Sequence, residues 1–117
     1  MSQEDTRTEL GLIRIHKNAI ASVASLASLE IEGVKRVGGG LKNDILELMG
    51  RKGPSGIKVE INKNDEVKVN IPLFIKYGFN IPDTADRVQE NVRQALEKMT
   101  NLSIKEININ VQGIERN

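Results

Sequence analysis

Ile57-Lys-Val-Glu-Ile61 and Val67-Lys-Val-Asn-Ile71 decide the fold of this chain. In both stretches an apolar residue alternates with a polar one, the period of a strand with one buried and one wet face. Lys63-Asn-Asp-Glu66 separates them as a short polar turn, so the pair reads as a β-hairpin. The second strand is expected to run on through Leu73-Phe-Ile-Lys-Tyr77 and to stop at Gly78. Pro72 has no amide hydrogen to give a ladder, which places it at an edge or a bulge.

Downstream, Asn80 followed by Asp83 predicts a helix N-cap with negative charge in the first turn, where Pro82 is tolerated. Ala85, Val88, Val92, Ala95, Leu96 and Met99 then recur with the helical period, with Asp83 and Arg87, and Arg93 and Glu97, spaced to pair on the wet side. A last strand sets Ile107, Ile109 and Val111 against Asn108, Asn110 and Gln112. Leu102 and Ile104 are out of phase with it, which predicts a bulge near Lys105-Glu106.

Upstream, residues 1–9 carry no periodicity and read as a disordered tail, leaving one domain over 10–117. Gly11-Leu-Ile-Arg-Ile15 alternates weakly, as a short strand would. Ile20, Val23, Ala24, Ala27 and Ile31 mark one face of a helix from about Lys17 that stops at Gly33. Leu26 and Leu29 widen that stripe, so burial on more than one side is expected. Val34 to Val37 suits a short strand, Gly38-Gly-Gly40 a turn, and Leu41, Ile45, Leu48 and Met49 a short helix ending at Gly50. The expectation is therefore an α+β domain of order β-α-β-α-β-β-α-β. A single mixed or antiparallel sheet carries both long helices on one face, and its other face is polar.

Composition narrows function. Lys plus Arg number 17 and Asp plus Glu 16 in 117 residues, so the net charge of +1 provides no field to steer polyanions. With no cysteine there is no thiol nucleophile, thiolate cage or disulfide framework. No apolar run approaches the roughly 20 residues that span a bilayer. Neither a signal peptide nor an anchor is expected, and any membrane role then runs through a partner.

Reactive groups do not converge. His16 is the single histidine, Glu30 and Glu32 point apart, and Asp83, Asp86 and Glu90 read as a solvated helix stripe. Gly38-Gly-Gly40 lacks the Gly-Lys-Ser/Thr of a phosphate loop. Gly50-Arg-Lys-Gly53 has the form of a KH-domain clamp on a nucleic-acid backbone. Against that reading, the aromatics are confined to Phe74, Tyr77 and Phe79 and no basic footprint accompanies the loop. No enzyme activity, cofactor or metal is expected. Arg51, Lys52, Lys58, Lys68 and Asn70 are the candidate contact residues, for protein or RNA.

Taken in order, several short segments resemble the bacterial alkaline-shock-protein family, also called the envelope stress response family. They include Gly11-Leu-Ile-Arg-Ile15, Val23-Ala24 with Ala27, and Glu32-Gly33-Val34, then Gly56-Ile-Lys-Val-Glu60, Val67-Lys-Val-Asn-Ile71 and Tyr77-Gly78 with Ile81. Val88-Gln89 with Val92, Met99-Thr100 with Leu102, and Ile109-Asn-Val-Gln-Gly-Ile114 complete a match from about Gly11 to Ile114. The triple glycine and Gly53-Pro-Ser-Gly56 depart from the family's pattern. The resemblance implies a cytoplasmic, non-enzymatic protein of cell-envelope homeostasis that self-associates and docks on a membrane-anchored partner. Other relatives are linked with lipid metabolism, so regulation of a lipid-synthesis enzyme is a further expectation, and KH-like RNA binding is the alternative from another class.

Overall fold

A computed structural model describes the backbone of residues 3–38 and 56–116 and the side chains of 16–38 and 56–116. Its elements are α1 (Gln3–Leu29), β1 (Val34–Val37), β2 (Lys58–Ile61), β3 (Glu66–Lys76), α2 (Ile81–Met99) and β4 (Ser103–Glu115). The short helix expected over 41–50 and the loop carrying Arg51 and Lys52 lie outside the described residues.

β3 is the axis of a mixed four-stranded sheet. β4 pairs with it in parallel from Glu66↔Ser103 to Lys76↔Glu115. On the opposite edge, antiparallel β2 covers Val67 to Asn70 and antiparallel β1 covers Leu73 to Ile75. The hairpin turn closes on Asn62, whose side-chain oxygen accepts from the amides of Asn64 and Glu66 at 2.9 and 3.0 Å. Asp65, at φ 58°, takes the left-handed position of a three-residue turn.

The period-two pattern does what it predicts. Val67, Val69, Ile71, Leu73 and Ile75 are fully buried, while the residues between them are half-buried on the other face. α1 brings Ile20, Ala21, Ala24 and Ala27 onto the buried face, and α2 brings Val88, Val92 and Leu96. Each of the larger side chains among these removed from water contributes roughly 1.5–3 kcal/mol. The two helices are tied together where Asn91 Nδ2 donates to the Ala27 carbonyl at 2.8 Å, satisfying one of the last acceptors of α1. α2 starts as expected, with the Asn80 side chain accepting from the Asp83 amide at 2.9 Å.

Several expectations are corrected. The first strand does not exist: Gly11 to Ile15 and residues 3–9 before them belong to α1, so the described order is α-β-β-β-α-β. Five weakly alternating residues fit a helical stripe as well as a strand, and the helix that follows continues through them. Leu26 and Leu29 are 65% and 48% exposed, so the part of α1 from residue 16 on buries one side only. Gly33 is not a left-handed cap. A Cβ there would come within 2.9 Å of Phe79 and Thr84, so this glycine lets the start of α2 pack against the turn after α1. Gly78, at φ 95°, is where a left-handed residue is required, turning the chain from β3 toward α2.

Pro72 sits in the middle of the central strand, not at the sheet's edge. Its carbonyl accepts from Gly38 on the β1 side at 2.8 Å. The N–H and C=O of a strand residue point the same way, so the missing donor faces the junction between β2 and β1 and costs no bond to β4. The bulge near Lys105 is present, and a second register shift falls at Gln112. Arg93 does not pair with Glu97 as its spacing suggested; it donates to the Ile104 carbonyl beside the first bulge at 3.1 Å.

Candidate functional site: the open face of the sheet

Among the described residues the helices cover one side, which leaves the even-numbered residues of β3 and their neighbours on the uncovered face. Three zones follow one another along it. At the hairpin end Lys58 and Glu60 pair at 3.8 Å, Lys105 reaches Glu66 at 3.7 Å, and Lys68 lies opposite Glu60. The centre is uncharged: Asn70 lies beside Asn108, whose Nδ2 donates to Asn70 Oδ1 at 3.1 Å, and Pro72 lies beside Asn110.

At the far end Arg36 of β1 spans the sheet to Glu115 of β4, with Nε and Nη2 each 3.0 Å from a different carboxylate oxygen. Its guanidinium lies 3.9 Å from the centre of the Phe74 ring between them, and beneath that ring Gly113 leaves room that a Cβ would narrow to 3.4 Å. A bidentate, stacked arginine is the strongest form such a contact takes. Arg116 over Tyr77, at 4.7 Å, extends the same chemistry past the strand end.

Electrostatics follow these contacts. The Arg36 guanidinium holds the Glu115 carboxyl below its ordinary 4.5. Glu66 is lowered as well, first by the hydrogen bond from Asn62 and then by the charge of Lys105. Both groups are in solvent, so these are adjustments of a surface and not the poised acid or base of a reactive pocket.

Of the candidate contact residues, Lys58, Lys68 and Asn70 come together on this face, Lys58 being paired in register with Asn70. Arg51 and Lys52 lie outside the described residues. His16 is exposed, and among the described residues no group of three His, Cys, Asp or Glu could hold a metal ion. Asp83 is taken up by Arg87 at 3.2 Å on the exposed side of α2, and Asp86 and Glu90 are exposed there too. A hollow of about 210 Å³ beside Gly33, Phe79 and Asn80 and another of about 370 Å³ beside Lys17, Glu60 and Lys68 are surface depressions of mixed polarity. Sequence reasoning missed Arg36, Phe74, Gly113 and Glu115 as a unit. Arg36 and Glu115 are 79 residues apart, and no local spacing signals a pair that only sheet order brings together.

A two-layer α+β domain with a polar, internally paired sheet face is the class that this geometry defines. The chain belongs to the alkaline-shock-protein family, of cell envelope-related function, whose pattern it matches over residues 5–116. It is 36% identical over 116 residues to YqhY of Bacillus subtilis, covering 98% of this chain and 84% of that protein. YloU of the same organism is 29% identical, with 94% and 93% covered. A stress response regulator gls24 homolog of Streptococcus pyogenes is 25% identical over 97% of this chain and 64% of its own length. Among solved structures, a MamM CTD aligns with TM-score 0.49 and 11% identity, covering 85% of this chain and 94% of that one. No helix among the described residues is long and apolar enough to cross a membrane.

Proposed function

We propose that this protein is a non-enzymatic scaffold or adaptor of cell-envelope stress response that works by self-association and by docking on a membrane-anchored partner. The observation that carries the reading is the open sheet face. Arg36 with Glu115 and Lys105 with Glu66 are paired across strands and Lys58 with Glu60 along β2, its centre is a row of amides, and it forms a surface to be read by another protein and not a cavity to enclose a substrate. The family's envelope-related function supports the setting. Attachment to the cytoplasmic side of the membrane comes from the partner in this reading. A protein of lipid synthesis is a second partner class, recognised through the same face.

The test is capture of partners from solubilised membranes by the full chain and by a charge-reversed Lys58→Glu, Lys68→Glu variant. The wild type recovers a membrane-anchored protein, and the variant loses it while keeping its circular dichroism spectrum. Recovery of no membrane protein, or equal recovery by both, contradicts docking through this face.

A further inference from the structure

The outer edge of β4 divides into two unlike halves. β4 is a border strand, because β3 is its one partner among the described residues. Odd-numbered residues of β3 point their amides toward β4, so Ile104, Ile107, Ile109, Val111 and Ile114, which lie directly opposite them, turn their own backbone groups outward. In the first half the carbonyls are covered. Arg93 donates to the Ile104 carbonyl at 3.1 Å, Gln89 donates to the Ile107 carbonyl at 2.7 Å, and the bulge at Lys105 breaks the line.

In the second half, no hydrogen bond among the described residues reaches the outward amides and carbonyls of Ile109 and Val111. Ile107-Asn-Ile-Asn-Val-Gln-Gly-Ile114 also holds no charge and no proline. Border strands are ordinarily blunted by such residues. The other border strands here are: β1 carries Lys35 and Arg36, and β2 carries Lys58 and Glu60.

We infer that this uncharged half of β4 pairs antiparallel with the same segment of a second copy, about a two-fold axis at Asn110. This deepens the self-association part of the proposed function by naming the surface, and it rests on that reading. The segment is its own complement. Ile109 meets Val111 of the second copy and Val111 meets Ile109, giving roughly four ladder hydrogen bonds from groups that are outward-facing in the monomer. Asn110 meets Asn110 on the open face, where two amides can bond, and the apolar side chains of Ile109 and Val111 meet on the helix side. No like charges are brought together, whereas β1 paired in this way would set lysine and arginine side chains against each other. The two open faces become one continuous surface.

Two sets of variants test it by light scattering over a wide concentration range. Val111→Pro deletes an outward amide and no bond to β3, so the monomer keeps its circular dichroism spectrum while self-association is lost. Asn110→Lys and Asn110→Asp each weaken association by roughly two- to tenfold, because like charges then stand opposed, and an equimolar mixture of the two regains wild-type association or better. Wild-type protein that self-associates equally well as folded Val111→Pro overturns this interface but leaves the broader reading standing. A mixture that fails to recover overturns the two-fold pairing. A wild type that stays monomeric at every concentration overturns both.

Discussion

The two faces of β3 are made by one eleven-residue strand and are under opposite constraints. On one face Val67, Val69, Ile71, Leu73 and Ile75 are shielded completely and carry the cohesion of the domain. On the other, Lys68, Asn70, Phe74 and Lys76 stay in partial contact with water, and their contacts are polar, stacked and reversible. The difference teaches that alternation fixes more than a fold. It assigns stability to one set of positions and leaves the other to the proposed recognition, so changes on the two faces should separate cleanly.

The largest effect is expected on the buried face. Leu73→Ala should cost about 2–5 kcal/mol in denaturant unfolding, since it deletes a large buried side chain from the middle of the core. A loss as small as that of a surface change would break the comparison. Gly33→Ala comes next, at about 1–3 kcal/mol, because the new Cβ must displace Thr84 or Phe79 from 2.9 Å. Asn80→Ala should cost about 1 kcal/mol by removing the cap of α2, read as a lowered thermal midpoint. On the open face Asn70→Ala should stay within about 0.5 kcal/mol of wild type, with any defect appearing in partner capture.

The smallest effect is one of pH. Glu115 titrates below its ordinary 4.5 in the folded protein, so its contribution to stability is present above pH 4.5 and is lost as the pH falls through the lowered folded value. Glu115→Gln should therefore flatten the acid limb of the stability profile and leave it unchanged near neutrality, apart from a constant offset. An acid limb as steep as that of the wild type would remove Arg36 and Glu115 from the account.

Local signals carried most of the fold. The hairpin, the Asn80 cap and the bulge at Lys105 are each written in a few adjacent residues, and all appear where the alternation and capping rules put them. Gly11 to Ile15, a short apolar run, fits both a strand and a helical period, and the length of α1 decides between them. Lys58, Lys68 and Asn70 were legible as outward residues of a strand. The Arg36, Phe74 and Glu115 cluster was not, since it depends on β1 and β4 flanking β3 on opposite sides, a matter of topology. The fate of Arg93 was hidden for a similar reason: the Ile104 carbonyl it meets is set free by tertiary arrangement.

Sedimentation of the full chain from micromolar to near-millimolar concentration tests the central claim, that this shell works through its outer surface by meeting copies of itself. The account predicts a mass that climbs above 13.0 kDa by mass action as concentration rises. A single 13.0 kDa species throughout would contradict it.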